Sequence, residues 1–326
     1  MTQTMEQPEL DTARMVEFYR QMALIRYFEE RVVELFGKGL ISGSTHPCIA
    51  QEAISVGAIG ALKREDQVLS TYRGHGQILA KGADPKSVMA EILCRQDGCC
   101  KGKGGSMHLC DPDIGFLGEN AIVAAHIPIA AGVALAHGIR KDGIVTLCFF
   151  GDGASNEGPF YETANMAALW RIPLVMICEN NGYAISVPVQ KSVSVPDIAL
   201  RAAAFGFPGV SVDGNDILSV HETTRQAVER ARRGEGPTLI ECKTVRWERH
   251  SAISAGKYAS REEMKRWQKT DPIPRFRALL SDREGVPSAE LDSIDTAVKR
   301  QVDEAVEFAL ASPPAAASEI EQDIFA

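Results

Sequence analysis

The stretch IVTLCFFGDGASNEGPFYETANMAALWRIPLVMICENNGYAIS, residues 144–186, decides the fold of this 326-residue chain. It contains two continuous apolar runs, 144–150 and 174–178, a pattern typical of strands that are buried on both faces of a parallel sheet. The intervening residues 156–170 predict a helix, in whose first turn Pro159 is tolerated. A strand, a helix and a second strand in this order predict a right-handed crossover between parallel strands.

Polar residues follow both apolar runs. Gly151-Asp152-Gly153 comes after the first run, and the second ends in Glu179-Asn180-Asn181-Gly182-Tyr183. If the two strands are neighbours, their carboxyl ends lie about 5 Å apart, at the edge of the sheet where α/β proteins bind ligands. Oxygens of Asp152 and Asn181 would then face one point, which suits Mg²⁺.

The surroundings of this predicted metal site suit a phosphate anion. The glycines beside Asp152 let the backbone approach a bulky ligand, and the helix that follows offers free N–H groups. Each of the two polar motifs alone is common in turns, but their pairing at two buried strand ends is more specific. The inferred ligand is a diphosphate with its metal.

Apolar patterns predict further helices and strands in alternation along the chain. Apolar residues three and four positions apart predict an amphipathic helix over residues 12–36. The glycine-rich residues 98–118 show neither the helical nor the strand period, which indicates a functional loop. The other predicted elements are helices at 49–63, 85–94, 128–139, 196–205 and 217–233, strands at 67–71, 209–212 and 238–245, and a mostly helical region from 261 onward. We therefore predict an α/β fold, a doubly wound and mostly parallel sheet flanked by helices.

Composition and charge narrow the class of protein. The chain has 35 basic and 43 acidic residues, a net charge of −8, which argues against nucleic acid and anionic membranes as partners. Its longest apolar runs fall far short of the roughly 20 residues that span a bilayer, and the acidic N-terminus lacks the pattern of a signal or transit peptide. We expect a cytoplasmic protein whose eight cysteines are reduced thiols. The adjacent pair Cys99-Cys100 has no interpretation from the sequence.

Several segments together resemble a known family. Beside the central stretch these are STYRGHG (70–76), GKGGSMHL (102–109), GENAIVAAHIPIAAGVALA (118–136), RAAAFGFPGVSVDGND (201–216) and GEGPTLIECKTVRWERHS (234–251). In this order, and over roughly residues 12–310, the chain is similar to the alpha subunit of thiamine-diphosphate-dependent 2-oxo acid dehydrogenase components, the pyruvate and acetoin dehydrogenase type. The resemblance implies three segments: an N-terminal helical extension (1–40), a thiamine-diphosphate-binding α/β domain (41–260) and a C-terminal helical region with a tail (261–326).

The resemblance also implies a role for the strand-end residues. Asp152, Asn181 and the carbonyl of Tyr183 would hold Mg²⁺. Gly153 and Ala154 would donate backbone N–H groups to the diphosphate.

Six further residues are matched to the family's cofactor and substrate sites. Tyr72 and Arg73 would contact the cofactor, and an arginine fork suits phosphate. The backbone of Ala121 and Val123 would meet the aminopyrimidine ring. His46 and His250 would be the catalytic histidines. The histidine of the 70–76 segment, His75, either positions Arg73 or only packs against neighbouring side chains.

The implied activity needs other chains. The alpha subunit would pair with a beta subunit in a heterotetramer of two alpha and two beta chains, since the carboxylate that activates the aminopyrimidine lies on the beta subunit. A small-molecule substrate, a 2-oxo acid or acetoin, would be decarboxylated or cleaved, and its acyl group would pass to a lipoyl-bearing acyltransferase. Two alternatives stay open: a transketolase-like subunit that transfers ketol units, and a non-catalytic stabilising subunit.

The chain departs from the family pattern at three places. Ala121 and Ala50 stand where glycine is usual, and an alanine forced to a positive φ costs about 1 kcal/mol. The segment 250–260 lacks the Ser-Asp pair of kinase-regulated members, so we do not expect regulation by phosphorylation.

Overall fold

A computed structural model describes residues 10–254, 260–319 and 321–323 of the chain. Its eleven described helices are α1 (Thr12–Gly37), α2 (Glu52–Gly60), α3 (His75–Ala80), α4 (Pro85–Ile92), α5 (His126–Arg140), α6 (Gly158–Trp170), α7 (Val189–Ser192), α8 (Ile217–Arg232), α9 (Arg261–Gln268), α10 (Pro272–Asp282) and α11 (Ser288–Ala311). Its strands are β1 (Gln67–Thr71), β2 (Phe116–Asn120), β3 (Thr146–Gly151), β4 (Leu174–Asn180), β5 (Tyr183–Ala184), β6 (Val187–Pro188), β7 (Gly209–Asp213) and β8 (Thr238–Lys243).

Six strands form one sheet in the order β2-β1-β3-β4-β8-β7, and every pairing in it is parallel. The predicted doubly wound α/β fold is confirmed. β5 and β6 form a separate antiparallel pair. Among the described helices, none has the length and apolar composition that crossing a bilayer requires.

The central strands are buried on both faces, as their continuous apolar sequence predicts. Along β3, Leu147 and Phe149 point into one apolar cluster while Cys148 and Phe150 point into the other. The first cluster is covered by α1, α2, α4, α8, α10 and α11, the second by α5 and α6. Side chains from 10–40 and from 272–309 share the first cluster with the sheet, so both helical ends are packed onto the same core.

The structure differs from the predicted elements mainly at the edge of the sheet. Residues 116–118, assigned to the loop 98–118, begin the edge strand β2, and short 3₁₀ turns lie at Gly105–Met107 and Pro112–Ile114. The stretch FLGEN does not show the apolar pattern of a strand, because it contains two polar residues and Gly118, whose φ is +135°. The predicted helix 196–205 is a 3₁₀ helix, Ile198–Phe205.

A buried ion pair joins α1 to α3. His75 Nδ1 lies 2.9 Å from Glu29 Oε2, and both side chains have no exposed surface. His75 Nε2 contacts the Ser106 hydroxyl at 2.9 Å. Burial alone would lower the pKa of His75, but the Glu29 carboxylate raises it to about 9. Of the two roles left open for His75, packing has direct contacts in the structure.

We expect this pair to make the protein less stable in alkali. A histidine whose folded pKa lies above its unfolded value of about 6.5 stabilises the protein below pH 6.5, and this contribution is lost as the pH rises through about 9. Between pH 7 and 9.5 the loss is on the order of 2 kcal/mol. Urea unfolding should show His75→Gln clearly destabilised at pH 7 and much closer to wild type at pH 9.5. The exposed His108→Gln is the matched control, and an equal destabilisation at both pH values would contradict the assignment.

Candidate active site

A cavity of about 210 Å³ opens at the carboxyl ends of β1, β3 and β4. Nine of the eleven residues singled out in the sequence line it: Tyr72, Arg73, Val123, Asp152, Gly153, Ala154, Asn181, Tyr183 and His250. The loop after each strand contributes to the wall because all three strands run in the same direction. The cavity therefore brings together residues that are more than 170 positions apart.

The other two predicted residues lie outside the lining. The His46 ring packs behind the wall, 4.4 Å from the Tyr72 ring and 5.1 Å from the His250 ring between centroids. Ala121 lies in the turn after β2 and does not have a positive φ, whereas Ala124 does, at +64°. Alanine at position 121 is therefore not strained. Ala50 is buried at a φ of +76°, so there the usual glycine has a conformational reason.

The register of β3 and β4 brings Asp152 and Asn181 into the lining of the same cavity. Gly151 lies opposite Glu179, so both strands end at the same level of the sheet. The Asp152 Oδ2 atom is buried and has no hydrogen-bond partner among the described residues. Burial raises the pKa of this carboxyl to about 6. A buried carboxylate oxygen without a partner is costly for the fold, and it is a ligand atom of the kind that Mg²⁺ prefers.

Asn181 is held in place by two weak contacts. Its Nδ2 donates to Gln51 Oε1 at 3.2 Å, and its Oδ1 accepts from the Tyr183 backbone N–H at 3.4 Å. Next to it, the backbone of Gly153 passes close to Ala184, since a Cβ on Gly153 would lie 2.9 Å from the Ala184 Cβ. The wall beside Asp152 is thus closely packed at Gly153.

Two buried arginines line the cavity, and each is bonded to the loops around it. Arg73 donates to the carbonyl of Pro47 at 2.6 Å and to that of His250 at 2.9 Å. Arg246 donates to the carbonyl of Ile185 at 2.9 Å and weakly to that of Tyr183 at 3.5 Å. Their charges make this end of the cavity positive, and both act to lower the pKa of Asp152.

His46 and His250 are neutral in this environment. Burial, together with the nearby Arg73 guanidinium, lowers the pKa of His46 to about 3 and that of His250 to about 4. The Nδ1 atom of each ring is buried without a hydrogen-bond partner among the residues described. Because Arg73 binds the chain at positions 47 and 250, it also fixes where the two rings sit.

The cavity wall includes five polar side chains that sequence reasoning did not single out: Gln51, Thr71, Glu157, Glu179 and Arg246. Arg246 comes three residues after β8, at the same edge of the sheet as the other polar motifs, and this position was the available signal. Glu179 lies within the polar motif after the second apolar run. Its carboxyl accepts from Gln77 Nε2 at 3.0 Å, and burial raises its pKa to about 7.

Comparisons with known proteins agree with this arrangement. The chain matches the sequence model of the Dehydrogenase E1 component family over residues 20–318. It is 43% identical to the pyruvate dehydrogenase E1 component subunit alpha of Zymomonas mobilis, over 96% of this chain and 89% of that protein. It is 42% identical to the alpha subunit of acetoin:2,6-dichlorophenolindophenol oxidoreductase of Bacillus subtilis, over 94% of this chain and 92% of that protein. With a match of this length and relatives of this similarity, the chain belongs to the dehydrogenase E1 component family.

Proposed function

We propose that this chain is the alpha subunit of a thiamine-diphosphate- and Mg²⁺-dependent dehydrogenase component, which decarboxylates a 2-oxo acid or cleaves acetoin. The observation that carries the proposal is the unpartnered Asp152 oxygen at the floor of a cavity with two buried arginines. An anionic ligand bound together with a cation would satisfy both features. The cation would bind the Asp152 oxygen, and the anion would face the two arginines. The family membership and the relatives of both substrate types support the same conclusion.

The residues present fit such a ligand. Asp152 and Asn181 would hold Mg²⁺ with their side-chain oxygens, together with the Tyr183 carbonyl. Arg246 accounts for part of the positive charge that a diphosphate requires, and the Gly153 backbone lines the cavity where the diphosphate would bind. When bound, thiamine diphosphate supplies the carbanion-stabilising chemistry that cleavage of a bond beside a carbonyl requires.

Arg73 has a positioning part in this proposal in addition to its expected contact with the cofactor. Both of its terminal nitrogens donate to backbone carbonyls, so it also positions the loops that carry His46 and His250. Its charge still faces the cavity. The Tyr72 ring packs beside both histidine rings, with centroid distances of 4.4 Å to His46 and 5.8 Å to His250.

The two histidines would handle protons at the substrate. A neutral imidazole can accept a proton or donate one near pH 7, and general acid–base catalysis contributes about 10² to 10⁴-fold in rate. His250 lines the cavity, so it would contact the substrate oxygens directly. The His46 ring packs against the His250 ring and would act through it.

A second chain would complete the site. Apolar side chains at the rim are exposed, among them Ile122 at 68% and Ile185 at 60%, and a beta subunit seated on this rim would cover them. Three carboxyl groups line the cavity: Asp152 and Glu157, which follow β3, and Glu179 in β4. In this proposal the beta subunit brings the remaining carboxylate, and a lipoyl-bearing acyltransferase collects the acyl group from a heterotetramer of two alpha and two beta chains.

The experiment that tests the function is co-expression with a beta-type chain. Activity is measured with an artificial electron acceptor on pyruvate, acetoin and branched 2-oxo acids. We expect turnover of at least one of these, dependent on thiamine diphosphate and Mg²⁺ and absent from the alpha chain alone. Ketol transfer between sugars with none of these activities would instead support a transketolase, and inactivity of a cofactor-loaded complex would support a stabilising subunit.

Asp152→Asn should have opposite effects on cofactor binding and on the stability of the cofactor-free protein. The change removes the negative charge of a metal ligand and leaves only an amide oxygen, so Mg²⁺-dependent binding of thiamine diphosphate should be much weaker in titration calorimetry of the alpha–beta complex. Without cofactor, the variant should be more stable than wild type near pH 7.5, by up to about 3 kcal/mol, because a buried carboxyl with a pKa raised to about 6 destabilises the fold above that pH. The exposed Asp113→Asn should change neither property. Wild-type cofactor affinity in Asp152→Asn would refute the metal site.

His250→Ala should lower turnover far more than cofactor affinity. Loss of a proton-transferring group at the substrate is expected to reduce kcat by about 10²-fold or more, with cofactor Kd changed only a few-fold. Steady-state kinetics and calorimetry on the same preparation measure the two quantities. His108→Ala, an exposed histidine, serves as the control. Unchanged turnover would remove His250 from the catalytic residues.

A further inference from the structure

The glycine-rich loop that follows α4 is organised around one buried carboxylate. Glu91 Oε2 accepts the backbone N–H groups of Cys100 and Gly102, each at 2.8 Å. Its Oε1 accepts those of Gly104 and Gly105 at 2.7 and 3.0 Å. All four lone pairs of the carboxylate are therefore used, so Glu91 serves to hold the loop in shape and is a poor ligand for a metal ion.

Two adjacent thiols lie side by side in this loop. Cys99 Sγ, Cys100 Sγ and a Glu91 carboxylate oxygen all lie within 4.8 Å of one another. The Cys100 thiol also donates to the carbonyl oxygens of His108 and Cys110, at 3.5 Å each. Cys99 and Cys100 are both partly exposed.

The other thiols of the chain are less suited to react as a pair. Four of them are buried: Cys48, Cys148, Cys178 and Cys242. Cys94 and Cys110 are partly exposed, but neither joins the compact group formed by Cys99, Cys100 and Glu91 among the described residues.

We propose that Cys99 and Cys100 form a reversible oxidation site for hydroperoxides, at which the two thiols close to a disulfide. Cys100 is the thiol that reacts first and Cys99 resolves the product. The contact between the two sulfur atoms supports this order, because it lowers the pKa of Cys100 and raises that of Cys99. The thiolate is the reactive form of a cysteine.

The reaction balances with hydrogen peroxide as the oxidant. The Cys100 thiolate attacks one peroxide oxygen, the O–O bond breaks, and Cys100 sulfenic acid and water form once the released hydroxide takes up the thiol proton. The Cys99 sulfur then attacks Cys100 Sγ. The S–S bond forms, the S–O bond breaks, and hydroxide leaves with the Cys99 proton as a second water. The two thiols lose two electrons in all, and the peroxide gains them.

The geometry makes this disulfide easy to reduce again. Neighbouring Cα atoms are about 3.8 Å apart, which is closer than the 4.4–6.8 Å that disulfides ordinarily span. Such a bond is strained, and strained disulfides have more oxidising potentials. We therefore expect a site that cycles rather than a permanent crosslink.

The test treats the full-length reduced chain with one equivalent of hydrogen peroxide near pH 7.5, then blocks the remaining thiols with N-ethylmaleimide in denaturant, which exposes the four buried thiols. We expect an intact mass lower by about 2 Da before alkylation. Six of the eight thiols should then be alkylated, with Cys99 and Cys100 joined in the peptide map. Dithiothreitol should restore all eight thiols. A bridge from Cys100 to Cys110, or oxidation elsewhere with this pair intact, would overturn the proposal.

Three variants assign the roles within the pair. Cys100→Ser should slow consumption of peroxide about tenfold, and Cys99→Ser should leave Cys100 to proceed to the irreversible sulfinic acid. Cys94→Ser, which removes another partly exposed thiol, should still form the bridge at the wild-type rate. If Cys99→Ser gives the faster loss of reactivity, the order of the two thiols is reversed and the proposed mechanism is wrong.

Discussion

The parallel pairing of β3 with β4 is the constraint on which the candidate site depends. With Gly151 opposite Glu179, both strands end at one level, and the two segments that follow bring Asp152 and Asn181 to the same cavity. A shift of the register by one residue would point every side chain of the moved strand to the opposite face. The apolar clusters on the two faces of the sheet prevent such a shift, so the hydrophobic core also sets the geometry of the polar site.

The site is built from groups that oppose folding. An unpartnered carboxylate oxygen, two uncharged histidines and two desolvated guanidinium groups all lie at the end of the sheet. Destabilising groups of this kind persist where the surrounding structure holds them in place. Much of that support comes from contacts between distant segments. Arg26 of α1, for example, binds Glu52 at 2.6 Å and Asp271 at 3.0 Å, so it ties α2 and the start of α10 to the N-terminal helix.

The sequence allowed the centre of the fold to be predicted because its signals there are local. Residues 144–150 and 174–178 are apolar without interruption, as strands with helices on both faces must be. The edge strand β2 was missed, since it is only partly buried and includes a glycine with positive φ. The division of the chain into segments 1–40, 41–260 and 261–326 stays a prediction, and residues 255–259 of the segment 250–260 lie outside the described residues.

The site was predicted in part for the same reason. Asp152 and Asn181 sit in motifs that directly follow strands, so their meeting could be inferred from topology. The contacts of Arg73 with residues 47 and 250 depend on tertiary packing, and no pattern in the sequence contains them. The backbone at Ala121 and Ala50 shows the same limit. Both positions differ from the family's glycine, but only Ala50 has a positive φ.

The unpartnered oxygen of Asp152 has a consequence for the lifetime of the protein in the cell. A ligand that binds only the native chain reduces the population that opens and becomes accessible to proteases. Under the proposed function, newly made chains are the most vulnerable until they are loaded. The abundance of the protein would then rise and fall with the supply of cofactor and cation, without any change in its synthesis.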